Sequence, residues 1–311
     1  MRPRRSLPLF WHVMAMVGLA VVLLAAVASL LWAALGAPPL TSSGAARPLT
    51  AAERLDALKI CIAVVGGLGG VVALTVAYRK QRDNEAAERR EQTRVFNDRF
   101  VAATSQFGDG SSATTQVAGA YALAGLADDW PDGRQMCIDV LCGHLRLPYQ
   151  GDPDADDYSY ERREVRRIIL RIMRDHLREG HATVSWSEHR FSFERVVFDC
   201  GDLSKAHFKN TSVSFHRARF LAGTTELNGM VFENTSVYLT KAVFGGGRVD
   251  FTGTAFAGHR TSFAGAVFGG GSVTFVDVDL GETELVLDDA VWTGGAVDWG
   301  PVPALPLRPG A

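Results

Sequence analysis

The last third of the chain repeats with a period of twelve residues. Two columns of large apolar residues run from Phe191 to Trp299, and the second column is offset from the first by five positions. A short unit repeated in this way is typical of a solenoid, whose core is shared between neighbouring turns. The first column is Phe191, Leu203, Phe215, Leu227, Leu239, Phe251, Phe263, Phe275, Leu287 and Trp299, and the second is Val196, Phe208, Phe220, Phe232, Phe244, Phe256, Phe268, Leu280 and Trp292.

A small or β-branched residue lies two positions before most of these central residues. Ala206 precedes Phe208 and Val249 precedes Phe251 in this way. Because side chains two apart point to the same side of an extended strand, both members of each pair are expected to face inward. The predicted structural core of the repeat includes the phenylalanines Phe208, Phe215, Phe220, Phe232, Phe244, Phe251, Phe256, Phe263, Phe268 and Phe275.

A second period, twice as long, lies above the twelve. The segment 210–213, Asn-Thr-Ser-Val, recurs at 234–237, and the three glycines at 245–247 recur at 269–271. Identity at the doubled period predicts that one turn contains four short strands, joined by alternating tight and longer corners. Glycines at the longer corners supply the positive φ angles that such turns require. Residues 191–300 then make roughly four to five turns, a rod of ~20 Å at ~4.8 Å per stacked strand.

The repeat resembles the pentapeptide-repeat family. The segments 205–208, Lys-Ala-His-Phe, and 217–220, Arg-Ala-Arg-Phe, match its pattern of a central Leu or Phe with Ala two positions earlier. A run of fives, Phe193, Phe198, Leu203, Phe208 and Val213, opens the region. The resemblance implies a right-handed quadrilateral β-helix over about a third of the chain, and the whole chain looks like a bacterial membrane-anchored subgroup. The chain departs from the pattern by two inserted residues at every second unit and by few Asp or Asn before the central residue.

Two apolar segments precede the repeat. Residues 10–35 contain His12 as their one ionisable side chain, and residues 60–78 contain no charge; each is long enough to span a bilayer, which takes ~20 residues. Basic residues flank both segments on the side away from the connecting residues 36–59, so the positive-inside rule predicts cytoplasmic termini and an external loop. The N-terminal segment is then 1–9. A cleaved signal peptide ending near Gly36 is the alternative; it leaves the large C-terminal part cytoplasmic as well.

The second span carries a helix-packing pattern. Gly66 and Gly70 have GxxxG spacing, which lets helices approach closely. We expect this face to pack on the first span, or on a second copy in a homodimer. The lipid bilayer is the first predicted partner of the chain.

Residues 79–185 are predicted to be a cytoplasmic helical region. Its last helix, at 161–178, carries an apolar stripe that includes Val165, Ile169 and Met173, together with seven arginines. The arginines are interpreted as a solvated face with Glu–Arg pairs such as that of Glu164, with anionic lipid or nucleic acid as alternative ligands. The same helix is a natural cap for the N-terminal end of the solenoid.

No chemistry-bearing constellation stands out. Cys137 and Cys142 lie in a predicted helix and are expected to be buried free thiols. We expect no catalytic residues, cofactor or metal, because no nucleophile–base pair, phosphate-binding loop or metal-ligand spacing is present in the sequence. The net charge of −2 gives no pull toward nucleic acid, and no nucleic-acid partner is expected.

The favoured function is therefore a non-catalytic scaffold that binds an unknown protein partner beneath the membrane. Membrane signalling or a stress response is the alternative. Known pentapeptide-repeat proteins that mimic DNA bind gyrase. Here the stretch with acidic residues and no Lys or Arg is confined to 277–298, and the earlier coils mix basic residues with acids, so this function ranks lower. The Pro-rich tail, 301–311, is expected either to fold over the last coil or to leave that end open for dimerisation.

Overall fold

A computed structural model describes residues 50–108 and 111–300, with five isolated helical positions between 18 and 29. The chain divides into two compact units, Met1–Gln92 and Thr93–Ala311. The predicted first span at 10–35 lies, apart from those isolated positions, outside the described residues. The predicted tail at 301–311 lies outside them as well.

The first described helix, α1, spans Ala51–Phe107. It begins where Thr50 and Glu53 cap each other: the Glu53 carboxylate accepts from the Thr50 backbone N–H at 2.9 Å, and the Thr50 hydroxyl accepts from the Glu53 backbone N–H at 3.4 Å. The helix thus starts within the predicted external loop and contains the whole predicted second span. In the described part of the chain, one helical segment, Ile62–Phe107, is long and apolar enough to cross a membrane by length and composition.

The described part of the second unit, up to residue 300, contains three further α-helices: α2 at Ala113–Asp129, α3 at Arg134–Leu145 and α4 at Tyr160–Leu177, with a 3-10 turn at Pro131–Gly133. Ser112 caps α2 and Ser159 caps α4, each accepting a backbone N–H three residues on. The predicted apolar stripe of α4 is confirmed, because Val165, Ile169 and Met173 are buried.

The C-terminal part is a β-solenoid of about four turns, as the repeat predicted. The strands are β1 Phe191–Ser192, β2 Val197–Phe198, β3 Gly201–Asp202, β4 His207–Lys209, β5 Ser212–Ser214, β6 Arg219–Phe220, β7 Thr224–Glu226, β8 Val231–Glu233, β9 Ser236–Tyr238, β10 Val243–Phe244, β11 Arg248–Asp250, β12 Arg260–Ser262, β13 Val267–Phe268, β14 Ser272–Thr274, β15 Glu284–Val286, β16 Val291–Trp292 and β17 Ala296–Asp298. Among the described residues every strand pair is parallel, and the strands form four sheets: sheet A is β1-β5-β9-β12-β15, sheet B is β2-β6-β10-β13-β16, sheet C is β3-β7-β11-β14-β17 and sheet D is β4-β8. Single bridges extend sheet D through Ala255 to Asp279.

The register confirms that one turn is two of the twelve-residue units. Phe220 pairs with Phe244, and Phe244 pairs with Phe268. Their rings stack at centroid distances of 4.9 and 4.8 Å, which match the spacing of ~4.8 Å between neighbouring strands. Each inward phenylalanine therefore covers the one below it, and the core continues from coil to coil.

The first coil departs from the predicted columns. Phe220 pairs with Phe198 rather than with Val196, the residue that the column predicted. In the other column the ring of Phe215 stacks on Phe193, at a centroid distance of 5.0 Å, rather than on Phe191. This coil is two residues shorter than the later ones, because the corner after Phe198 lacks their two additional residues. The twelve-residue columns are therefore wrong at their first members, and the run of fives describes this coil.

Left-handed backbone recurs at the corners. As predicted, the longer corners use glycine, with φ of 69° at Gly247 and 66° at Gly271. The tight corners use charged residues as well: φ is 56° at Arg217 and 57° at both Lys241 and Asp289. Sequence patterning did not predict the left-handed backbone at Arg217 and Lys241, because residues other than glycine, Asn and Asp seldom adopt this conformation.

Helix α4 lies against the first coil, as expected for a cap, but its arginines are not simply a solvated face. Arg166 is 6% exposed and donates to the carbonyl oxygens of Leu145, at 2.8 Å, and Val197, at 2.6 Å. Arg174 pairs with Asp202, and Arg178 donates to the Ser204 carbonyl at 2.8 Å. These arginines face the protein because the first coil presents carbonyl and carboxylate oxygens without other donors among the described residues, and α3 ends in the free carbonyl of Leu145. The guanidinium groups supply the missing donors.

Candidate functional site

The phenylalanines singled out from the sequence lie inside the solenoid. All ten are buried, with no more than 4% of any residue exposed, and they belong to one core that continues into helices α2 to α4. Gly66 and Gly70 lie in α1, where a Cβ atom added to either would meet no heavy atom within 4 Å. None of these residues offers a binding site on the solenoid, so a ligand or partner can reach only its outer faces.

Helix α3 is held above the outer face of sheet A. The Gln135 side chain accepts from the backbone N–H of Arg190 at 3.0 Å and donates to the carbonyl of the same residue at 2.9 Å. Arg190 directly precedes β1, so the two hydrogen bonds fix the helix relative to the first strand. The helix and the sheet then form the wall and the floor of a cleft.

This cleft has a volume of about 640 Å³, within the range of ~300–1,000 Å³ typical of ligand pockets. We call it the hydroxyl cleft. The register of sheet A places Ser192, Ser214 and Tyr238 in one row along its floor. The complete lining is Asp139, Cys142, Arg146, Arg190, Phe191, Ser192, Glu194, Ser212, Ser214, His216, Tyr238 and Thr240.

Hydrogen bonds organise one side of the hydroxyl cleft. The Ser214 hydroxyl donates to Glu194 at 3.0 Å and accepts the backbone N–H of His216 at 3.3 Å. Within the part of the chain that the structure describes, no ion pair or hydrogen bond engages the Arg146 side chain. Its guanidinium, with five N–H donors, is available to a carboxylate or carbonyl group entering the cleft.

The one thiol in the cleft is not an activated nucleophile. Burial raises the pKa of Cys142 to about 12, with backbone hydrogen bonding to Ser192 opposing the shift. The thiol therefore stays protonated near neutral pH, whereas a cysteine nucleophile reacts as the thiolate. The expectation that Cys137 and Cys142 are buried free thiols is confirmed.

A second, smaller cleft of about 350 Å³ lies between α4 and sheet C. Arg167, Arg171 and Arg174 form one wall, and Asp202 and Glu226 are among the residues opposite. Burial opposes ionisation of Asp202, but hydrogen bonds from Ser204 and the charge of Arg174 outweigh it and lower the pKa. Arg174 thus helps to hold the helix on the solenoid.

No protein-family model, curated protein or solved structure matches the chain. Over residues 50–108 and 111–300, no group of three or more His, Cys, Asp or Glu side chains is placed to hold a metal ion. The class that the geometry defines is a parallel β-solenoid with a helical unit packed on its first coil. The hydroxyl cleft is a concave site at the junction of that helical unit and the solenoid.

Sequence patterning missed the hydroxyl cleft, since the cleft exists only where α3 crosses sheet A. A partial signal was present in the serines at 212, 214 and 236, which flank inward valines and therefore face outward. Nothing in the spacing of those serines indicated that a helix would lie above them.

Proposed function

We propose that the chain is a membrane-anchored, non-catalytic protein of the pentapeptide-repeat type that docks a partner protein on the cytoplasmic side. The proposal includes two transmembrane helices and cytoplasmic termini. It is supported by the span-length apolar helix in α1 and by the basic residues that follow the predicted second span.

Two features of the solenoid favour the pentapeptide-repeat assignment. The central residues stack in register once per turn, and the small residue two positions earlier, such as Ala206, Ala218 or Ala242, is fully buried beside them. Four short parallel strands per turn are what a quadrilateral coil requires.

The hydroxyl cleft is the observation that carries the docking function. Its floor presents serine and threonine hydroxyls, which both donate and accept hydrogen bonds, as a peptide backbone does. Tyr238 is 37% exposed and adds an aromatic surface with a polar end, a combination common in interface anchors. An extended segment of a partner protein fits this combination better than a small apolar ligand.

The test is affinity capture with the full-length, tagged protein in membranes, using a cleft variant, Arg146→Ser with Tyr238→Ser, and a matched control, Arg248→Ser. Arg248 is exposed on sheet C, away from the cleft. We expect the cleft variant to lose a partner that the wild type and the control both retain. Identical partners for all three proteins would refute docking in the cleft.

Membrane signalling is the second candidate, and one observation favours it. Helix α1 contains both the predicted second span and the residues Phe96, Ala103 and Phe107, which are buried in the helical core. Inserting two glycines after Asn84 separates the two functions. A passive anchor predicts unchanged capture of the partner, whereas signalling through the helix predicts that capture or its regulation changes.

A further inference from the structure

The outer face of sheet B carries an ordered series of side chains that none of the functions above uses. The residues Arg219, Val243, Val267 and Val291 follow each other in register along this face. Beside them Gly245 and Gly269 are exposed, so the middle of the face is flat and apolar. We call this surface face B.

Tight corners form a column along the edge of face B that begins with Arg195 in the first coil, where the face itself is covered. Beside the four open rows its members are Arg217, Lys241, Gly265 and Asp289, which we call the corner column. Their φ angles lie between 56° and 63°. The first three corners donate their backbone N–H to the next coil, for example from Arg217 to the carbonyl of Thr240 at 2.9 Å and from Gly265 to that of Asp288 at 2.7 Å. The four side-chain positions are therefore equivalent, and the column changes from basic to acidic along the rod.

These charges have no partners within the described part of the chain. The three charged residues of the corner column are exposed, and no ion pair or side-chain hydrogen bond engages Arg217, Lys241 or Asp289 there. Asp288, which directly precedes Asp289, is exposed as well and adds a second negative charge at this end of the column. A column that is basic at one end and acidic at the other is complementary to the same column in reverse.

We infer that two copies of the chain pair antiparallel through face B and the corner column. A two-fold axis perpendicular to the rod and lying in the interface places Arg217 opposite Asp289 of the second copy and Val243 opposite its Val267. A two-fold axis along the rod would instead place each corner column opposite the far edge of face B, where the charges of the two columns do not meet. Opposite charges therefore meet only in the antiparallel arrangement, because the corner column lies at one edge of face B and its charge reverses along the rod.

The extent of the open face agrees with this symmetry. In the first coil Val197 is covered by the loop at Gly151, where an added Cβ atom would approach a Val197 methyl group to 2.6 Å. Four rows remain open, from Arg219 to Val291, and the two-fold axis passes midway between the second and third. In this arrangement the loop at Gly151 lies just beyond the Val291 row of the second copy, so it does not obstruct the pairing.

A second copy satisfies this surface better than an acidic peptide does. Such a peptide would neutralise Arg217 and Lys241 but would bring its own carboxylates toward Asp288 and Asp289. Only a surface with the opposite order of charge matches both ends, and the reversed corner column is such a surface. The glycines in the middle allow the two faces to approach without steric conflict.

The contact is small. Three coil steps of ~4.8 Å make it ~14 Å long, and its area falls well below the ~800 Å² per partner of stable soluble dimers. Pairing therefore needs the high effective concentration of two chains held in one membrane, and in this respect it rests on the proposed anchoring.

The test joins the two copies chemically. In full-length protein with the substitution Arg217→Lys, a zero-length carbodiimide should link the introduced lysine to Asp289 of a second copy in membrane vesicles. A mixture of ¹⁴N- and ¹⁵N-labelled protein identifies the link as one between copies, since the two positions in one chain are ~14 Å apart. Adding Asp289→Asn should abolish the link. Protein that sediments with the vesicles but gives no such link would overturn the pairing alone, whereas protein absent from the vesicles would overturn the anchoring.

A charge swap gives an independent readout. Arg217→Asp or Asp289→Arg alone sets like charges opposite each other, whereas a mixture of the two variants restores opposite charges at both ends. Asp and Arg already occupy equivalent corners, so neither change strains the backbone. We expect the mixture to co-purify through two different tags several-fold better than either variant with itself. Equal recovery for all pairs, as association through the spans alone would give, contradicts the inference.

Discussion

Replacing Arg166 with methionine should loosen the junction between α4 and the first coil. The guanidinium bonds the carbonyls of Leu145 and Val197 and lies 4.5 Å above the centre of the Tyr149 ring. Methionine keeps much of the packing but leaves both carbonyls without a donor, at about 1–3 kcal/mol each. Relief from burying a charge offsets part of this, because burial lowers the pKa of Arg166 to about 10. We expect a net loss of about 3 kcal/mol in the free energy of opening the junction.

Arg167→Met is the matched control. Arg167 is the next residue of the same helix, but its side chain is 43% exposed and pairs with Glu164 at 2.9 Å, so its loss should cost less than about 0.5 kcal/mol. Native-state hydrogen exchange on full-length protein in detergent reports the difference. Amides of the first coil should exchange about 100-fold faster in Arg166→Met and unchanged in Arg167→Met. Equal exchange in the two variants would show that the buried arginine does not hold the cap.

Three further substitutions or modifications test the solenoid and its thiols. Phe244→Ala removes the middle of a ring stack and should lower the free energy of unfolding by about 3–5 kcal/mol in denaturant titration, while Val243→Ala on the outer face should cost less than about 1 kcal/mol. Gly258→Ala should lower the melting temperature more than Gly253→Ala, because a Cβ atom at 258 would overlap with the backbone of the preceding coil whereas one at 253 meets nothing within 4 Å. At 253 the loss of stability comes from left-handed strain alone, about 1 kcal/mol, and equal thermal shifts for the two variants would contradict this. Cys142 should resist alkylation in folded protein at pH 8 and react on denaturation, because burial raises its pKa to about 12; rapid labelling of the native state, followed by mass spectrometry, would count against it.

The repeat was predictable because its signal is redundant. Every coil places large apolar residues at the same inward positions. The spacing of these residues in the sequence was therefore enough to predict the length of the turn and the burial of Phe220, Phe244 and Phe268. The first coil was misaligned because its single shortened corner, after Phe198, is not repeated elsewhere.

Features that depend on two distant segments meeting were not predictable in the same way. A helix rich in arginine has the same pattern whether it faces water or the carbonyls of a first coil, and only the packing of α4 assigned Arg166 to the second role. The hydroxyl cleft likewise needed the position of α3, which Gln135 fixes through two hydrogen bonds that leave no periodic trace in the sequence.

The strict parallel register has a consequence for how such a rod can change length. Removing one whole turn, for example 240–263, would rejoin each sheet and each ring stack with its own equivalent, since Leu239 and Phe263 occupy the same place in successive turns. Removing twelve residues would join sheet A to sheet C and turn every outer face by half a turn. The length of the solenoid can therefore change only in steps of one whole coil, ~4.8 Å each. Duplication or deletion of whole coils achieves this without a change in the sequence of any corner.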